Sequence, residues 1–133
     1  RFLLPRLESA ASATDPARVI NIGSIDGLQA PAMETYAYSS SKAAVHQLTR
    51  HLAHSLAPRK IIVNAIAPGP FESKMMAETL QRFGEGIRAS NPLGRIGEPS
   101  DMAGTAIFLS AKASAYITGT VIPVDGGIST RHQ

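Results

Sequence analysis

Three short runs dominated by β-branched and other apolar residues mark the chain: Arg18 to Ile22, Ile61 to Ile66 and Thr120 to Val124. Turn-forming residues bound each run, so each reads as a strand. The apolar residues are nearly continuous rather than alternating, the pattern of strands covered on both faces in a parallel sheet between helices. Helix-length patterns separate them. From about Thr35 to Ala57, the apolar positions Val45, Leu48, Leu52 and Leu56 recur at three- and four-residue spacing, and Pro58 ends the run. A second repeat, Met76, Leu80, Phe83 and Ile87, follows Pro68-Gly69-Pro70. Gly84 and Gly86 interrupt it, which predicts a mobile, partly helical segment. A third helix is expected to begin near Ser100 as N-cap, after Pro99, and to run through Met102, Ala106 and Leu109 to about Lys112.

Strand, helix, strand, helix, strand at these lengths is the repeating unit of a parallel α/β sheet with right-handed crossovers. Three central-type strands leave backbone donors and acceptors unpaired beside apolar surface, so further strands are expected. The run from Arg18 to Ile22 has the pattern of an interior strand, and its missing neighbour would be encoded before Arg1. The chain also lacks an initiating Met and opens on Phe2-Leu3-Leu4, like the last turns of an apolar helix. Residues 1–133 are therefore expected to form one partial domain, three strands with flanking helices, equivalent to the C-terminal half of a doubly wound, Rossmann-like sheet.

Composition narrows the function classes. Of 133 residues, 44% are apolar and only 17% charged, against roughly 25% in an average soluble domain; disorder is not expected, and much of the surface should be covered by core or partner. The absence of Cys rules out a disulfide scaffold, thiolate-bound zinc and a cysteine nucleophile, and makes a cytoplasmic location the expectation. The net charge of +3 comes from scattered residues (Arg18, Lys42, Arg59, Lys60, Arg82, Arg95), without the dense patch that nucleic-acid binding uses. No apolar run approaches the about 20 residues of a membrane span, and the opening is interrupted too soon for a signal-peptide core.

Helical spacing puts Tyr38 and Lys42 one above the other on a shared face. A free phenol ionises near pH 10, and an ammonium group a few ångströms away favours phenolate, so such a pair suits proton transfer at neutral pH. Tyr-x-x-x-Lys also arises by chance on surface helices, and context decides its meaning. That context is Ile20-Asn21-Ile22-Gly23-Ser24-Ile25-Asp26-Gly27, where a buried strand ends in a Gly- and Ser-bearing turn. Open α/β sheets bind ligands at the carboxyl ends of their strands. Ser24 stands at that rim with a loop long enough to bring its hydroxyl beside the phenol; the plain alternative is that Ser24 only bonds the turn backbone. The second strand ends in the stiff turn Ala67-Pro68-Gly69-Pro70 at the same rim.

Together, Asn21-Ile22-Gly23-Ser24, Tyr38-x-x-x-Lys42, Val63-Asn64-Ala65-Ile66-Ala67-Pro68-Gly69 and Val124-Asp125-Gly126-Gly127 resemble the short-chain dehydrogenase/reductase family. The resemblance runs from Phe2 to Gly127 and includes Pro92-Leu93-Gly94-Arg95-Ile96-Gly97-Glu98-Pro99. Within the family it is nearest the 3-oxoacyl-acyl-carrier-protein reductases, particularly the rhamnolipid-biosynthesis type, which shares Val19-Ile20-Asn21-Ile22-Gly23-Ser24.

The resemblance implies an NAD(P)-dependent oxidoreductase that interconverts a ketone, 3-oxoacyl in class, and a secondary alcohol. Tyr38 would exchange the proton of the substrate oxygen, and Lys42 would tune the phenol and hold the nicotinamide ribose. Ser24 would stabilise charge developing on that oxygen. Pro68, Gly69, the Phe71 backbone and the Ser73 hydroxyl match cofactor-binding positions, for the nicotinamide carboxamide and the neighbouring phosphate of NADP or NAD. The segment from Pro70 to about Ser90 would be a substrate lid. Tyr36 has Ser40, not Lys, four residues on and is rejected. Two departures stand out. Ser24 precedes Tyr38 by 14 residues, one more than the family commonly has. No Gly-rich fingerprint follows a strand and opens a helix, so the device that seats a dinucleotide pyrophosphate is missing, and with it the family's Asn-Asn-Ala-Gly strand and helix Asn.

The remaining motifs have plainer readings. His51 and His54 lack a third ligand and read as solvated, and no metal site is expected. His46 reads as an ordinary surface or interface residue. Asp125-Gly126-Gly127 reads as a turn with positive φ at glycine. Met33, Met75, Met76 and Met102 read as gap-filling core, Met75 and Met76 also as lining for a lipid-like pocket. Ala43, Ala44, Ala53 and Ala57 suit close helix contact in a homo-oligomer, a dimer or tetramer as in the family. Two alternatives to the small-molecule carbonyl reductase stand: a catalytically silent fragment or binding module that pairs with another chain, and a sugar-nucleotide epimerase, which shares Tyr-x-x-x-Lys without the Pro68-Gly69 and Asp125-Gly126-Gly127 context.

Overall fold

The computed structural model describes residues 2–31, 33–74 and 76–130. Its strands are β1 (Ala17–Ile22), β2 (Ile61–Pro68) and β3 (Val121–Val124); its helices are α1 (Leu4–Ala10), α2 (Tyr36–Leu56), α3 (Ala77–Ser90) and α4 (Pro99–Ser110). The strands form one sheet in the order β1-β2-β3, and both pairings are parallel. Ala17 pairs with Ile61 and Ile22 with Ile66, while Ala65 pairs with Val121 and Pro68 with Val124. All three carboxyl ends therefore meet at one rim. The expected Rossmann-like half-sheet with flanking helices is what forms.

Burial on both faces holds only for β2, where Ile61 to Ala67 are all buried. Along β1 only Ala17 is buried, and no residue of β3 is. The near-continuous apolar pattern misses this difference because position in the sheet, not composition, decides how many sides are covered. The core on one face joins Ala17, Ile61 and Val63 to Ala53 of α2, with Leu4 and Leu7 of α1 and Leu52 and Leu56 packed against them. Side chains alternate along a strand, so Arg18 points to the opposite face. There its guanidinium donates to the carbonyl of Ala111, just past α4, at 3.1 Å.

Three local expectations are corrected. α3 runs unbroken through Gly84 and Gly86. Each glycine costs about 1 kcal/mol in a helix interior, and the surrounding Ala77, Glu78, Leu80, Gln81, Arg82, Glu85 and Arg88 favour helix enough to offset it. An ion pair between Arg82 and Glu78 at 2.9 Å adds to this on its surface. α4 has Glu98 rather than Ser100 as N-cap, with Pro99 in its first turn. Asp101 anchors that end: its carboxylate accepts the Glu98 N–H at 2.8 Å and both arms of Arg95 at 2.7 and 2.8 Å. Arg95 and the Glu98 N–H hold the Asp101 carboxyl well below the usual range. The small-residue face of α2 divides, with Ala53 turned into the core and Ala43, Ala44 and Ala57 exposed. Met102 and Met76 are half-buried, Met33 is exposed, and Met75 lies outside the described residues. Among the described residues no helix is long and apolar enough to cross a membrane.

Two polar clamps fix the way into and out of β3. Buried Asn64 donates from Nδ2 to the Ile117 carbonyl at 2.8 Å and accepts the Thr120 N–H on Oδ1 at 3.1 Å. Asp125 accepts the N–H groups of Gly127 and Ser129 at 2.9 and 2.8 Å. Burial raises the Asp125 carboxyl, but bonds from Ser129 and Gly127 outweigh it and the net shift is downward. Gly126 and Gly127 do take positive φ, 66° and 92°, as a turn after the last strand requires.

Replacing Asn64 by Leu should cost about 1 to 3 kcal/mol, because it leaves the half-buried Ile117 carbonyl and Thr120 N–H without their partner; the urea midpoint measures it. Asp125 is depressed in the folded state, so its contribution is present above about pH 4 and fades as pH falls through the lower folded value. Asp125→Asn should lower the urea midpoint at neutral pH, and its gap from wild type should close in acid.

Candidate active site

α2 crosses the end of β1 with Tyr38, Lys42 and His46 at four-residue intervals along one stripe. Each of the last two reaches the strand end. Lys42 donates from Nζ to the Ile22 carbonyl at 3.1 Å, and His46 Nε2 accepts the Ser24 N–H through a long bond of 3.4 Å. One turn further on, Asn21 of β1 donates to the buried Thr49 hydroxyl at 2.9 Å. The buried stripe of α2 is thus His46, Thr49 and Ala53, while Leu48 of the apolar repeat is exposed. A helix this near a strand end admits short or hydrogen-bonded side chains better than leucine.

Glycines make the approach possible. A Cβ on Gly23 would overlap the His46 imidazole, and one on Gly27 would lie 2.6 Å from the Lys42 carbonyl carbon. Gly23 donates its N–H to the Ile66 carbonyl at 2.7 Å, which keeps the turn in register with β2.

The Lys42 ammonium sits 5.5 Å from the centroid of the Tyr38 ring, a cation–π distance. Tyr38 is 37% exposed; Tyr36, at 74%, lies at the helix start. Ser24 is 6% exposed. Its Oγ accepts the Asp26 N–H at 3.2 Å and caps the short 3-10 turn Ile25–Gly27. The hydroxyl proton stays free to donate. The plain reading of Ser24 as a turn-bonding serine is thus true of its acceptor side.

At the neighbouring strand end, Gly69 donates to the Val124 carbonyl at 2.9 Å, and a Cβ on it would come within 2.7 Å of Asp125 Cβ. Phe71 pairs with Gly97, whose N–H donates to the Pro70 carbonyl at 3.0 Å. A Cβ on Gly97 would stand 2.5 Å from the Phe71 ring. Asn91 reaches across to the Asp125 carbonyl at 3.1 Å. Pro68, Gly69 and Phe71 therefore form one body with the 91–97 and 124–127 segments. Ser73 is exposed, and its Oγ accepts the Met76 N–H at 3.2 Å. The grooves at α3 and beside Glu72, Arg88 and the 95–100 stretch are not lined by Ser24, Tyr38 or Lys42.

His46 corrects the sequence reading: it is 1% exposed, not a surface residue. Its position four residues past Lys42 on the same stripe is the signal that could have found it. His51 and His54 are exposed.

Residues 4–129 match the family model described as Enoyl-(Acyl carrier protein) reductase. The rhamnolipids biosynthesis 3-oxoacyl-[acyl-carrier-protein] reductase of Pseudomonas aeruginosa is 53% identical over 128 residues, 94% of this chain and 50% of that protein. The chain thus spans about half the length of that relative. Among solved structures, the Pseudomonas aeruginosa RhlG/NADP active-site complex superposes with a TM-score of 0.89 at 51% identity, over 96% of this chain and 52% of that one. A gluconate 5-dehydrogenase from Burkholderia cenocepacia, in complex with NADP and tartrate, gives 0.81 at 31% identity, over 87% of this chain and 46% of that one. Sequence motifs, parallel sheet and rim agree: this chain belongs to the short-chain dehydrogenase/reductase family.

Proposed function

We propose that this chain carries the catalytic half of an NAD(P)-dependent oxidoreductase that interconverts a ketone, 3-oxoacyl in class, and a secondary alcohol. The observation that carries it is the stripe of α2 on which Tyr38 and Lys42 stand together while Lys42 is bonded to the end of β1, where Ser24 begins its turn. The substrate class follows the reductase from Pseudomonas aeruginosa named above.

In reduction, the Tyr38 hydroxyl gives its proton to the carbonyl oxygen; in oxidation the phenolate takes it back from the alcohol. The Lys42 ammonium offsets the negative charge that appears on the phenol oxygen as the proton leaves. Ser24 donates its hydroxyl proton to the same substrate oxygen and steadies the charge there. The nicotinamide, when bound, supplies or accepts the hydride at the substrate carbon.

The rim suits that cofactor. Lys42 gives one N–H to Ile22 and has two left for a ribose. Gly69 passes so close to Asp125 that a Cβ would not fit there. Pro68, Gly69 and the Phe71 backbone would hold the carboxamide, and the Ser73 hydroxyl the neighbouring phosphate. NADP or NAD fits this half alike; NADP is named with both solved relatives. The pyrophosphate fingerprint is absent from residues 1–133, so we assign that task to an N-terminal nucleotide-binding half outside them. The 70–90 segment, with helix α3, serves in this reading as the substrate lid. Homo-oligomerisation and a cytoplasmic location complete it; Ile107 and Phe108 on α4 and Ala43, Ala44 and Ala57 on α2 are exposed and available for contact.

In the full-length natural chain, Tyr38→Phe should lower NADPH-dependent reduction of a 3-oxoacyl thioester by at least about a hundredfold, with the far-ultraviolet dichroism unchanged; turnover within a few-fold of wild type refutes the proton-donor assignment. Residues 1–133 alone should bind NADPH poorly by nicotinamide fluorescence. Micromolar binding there would contradict the division into halves, and tight pairing with another chain without turnover would favour the silent-module alternative.

A further inference from the structure

His46 is buried, titratable and unused by the proton transfer above. Its Nδ1 lies 3.2 Å from the Gly27 carbonyl, which can only accept, so Nδ1 carries the proton and Nε2 is left to accept the Ser24 N–H. One neutral tautomer thus spans the turn from Ser24 to Gly27. The fit is tight on both sides, since a Cβ on Gly23 would overlap the ring and one on Gly27 would come within 2.9 Å of its Cε1. Burial pushes the imidazole below its ordinary value; the Gly27 carbonyl partly opposes this, and the charges of Arg50 and Lys42 on α2 reinforce it. The acidic group of the facing turn is Asp26, whose own carboxyl burial raises.

We propose that His46 is a positioning residue of the site: as a neutral Nδ1–H imidazole it clamps the Ser24–Gly27 turn to α2 and so fixes the Ser24 hydroxyl relative to Tyr38 and Lys42. The proposal rests on the reading of those three as the reacting groups. Within the turn, the Ser24 hydroxyl is held by the Asp26 N–H, so its aim follows the turn backbone. The turn backbone in turn is tied to α2 through His46. A proton on Nε2 removes the acceptor for Ser24 and turns both ring nitrogens into donors, which releases the clamp in acid.

The full-length natural chain decides the matter by three measurements. Long-range nitrogen–proton NMR should show His46 as the Nδ1–H tautomer at pH 7, titrating below an ordinary histidine; an Nε2–H tautomer or an imidazolium at pH 7 overturns the clamp whatever the activity. His46→Leu should speed exchange of the Ser24 amide and lower kcat for ketone reduction about ten- to a hundredfold, with KM for NADPH changed less than about threefold. His46→Gln, which offers both a donor and an acceptor, should recover most of kcat. A folded His46→Leu with wild-type kcat and wild-type Ser24 protection overturns the proposal, and if that variant does not fold, the wild-type tautomer and titration stand as the test. A wild-type chain inert toward ketones with either nicotinamide cofactor sinks the reading of the reacting groups instead, and the NMR and exchange results then judge the clamp by themselves.

Discussion

The close approach of α2 to the carboxyl end of β1 is the constraint on which the site depends. A helix and a strand normally meet through a layer of aliphatic side chains. That layer is present at the far end, around Ala53, Leu52 and Leu56, but at the carboxyl end they meet through His46 and Thr49, which bond to Ser24 and Asn21, and through glycines that leave the space. Hydrogen bonds have direction, so this junction sets the helix in rotation and along its axis as well as in distance. Lys42 and Tyr38 inherit that placement, one and two turns nearer the helix start. An aliphatic junction of equal area would hold the helix as firmly and place its polar groups less sharply.

The second half of the rim is built by interlocking segments far apart in the chain. The turn after β2 fits against Asp125 at Gly69, and the segment before α4 fits against Phe71 at Gly97. Asn91 ties the same segment to the carbonyl of Asp125. Short motifs that look independent along the chain are therefore mutual: each glycine is the space that another motif occupies. A substitution at one would be felt at the other, through overlap rather than through charge.

Much of this was legible in the residue pattern. The three strands, the long helix ended by Pro58, and Tyr38 and Lys42 on one face follow from periodicity and turn residues, which act over a few neighbouring residues. The cap of α4 did not follow, because Glu98 works there through the carboxylate of Asp101 and the fork of Arg95 rather than through a short N-cap side chain. Nor did the continuity of α3, where two glycines weigh less than the helix formers around them.

Sequence by itself determined the three strands, their parallel arrangement, the long helix and the resemblance to the family, since local propensity and ordered motifs are properties of the chain read in one dimension. Only the tertiary structure decided which stripe of α2 is buried, that His46 rather than Leu48 faces the strand, and that β1 and β3 are less covered than β2. Burial depends on what a surface meets, and a histidine whose two nitrogens find an N–H and a carbonyl can be buried where composition alone would place it in water.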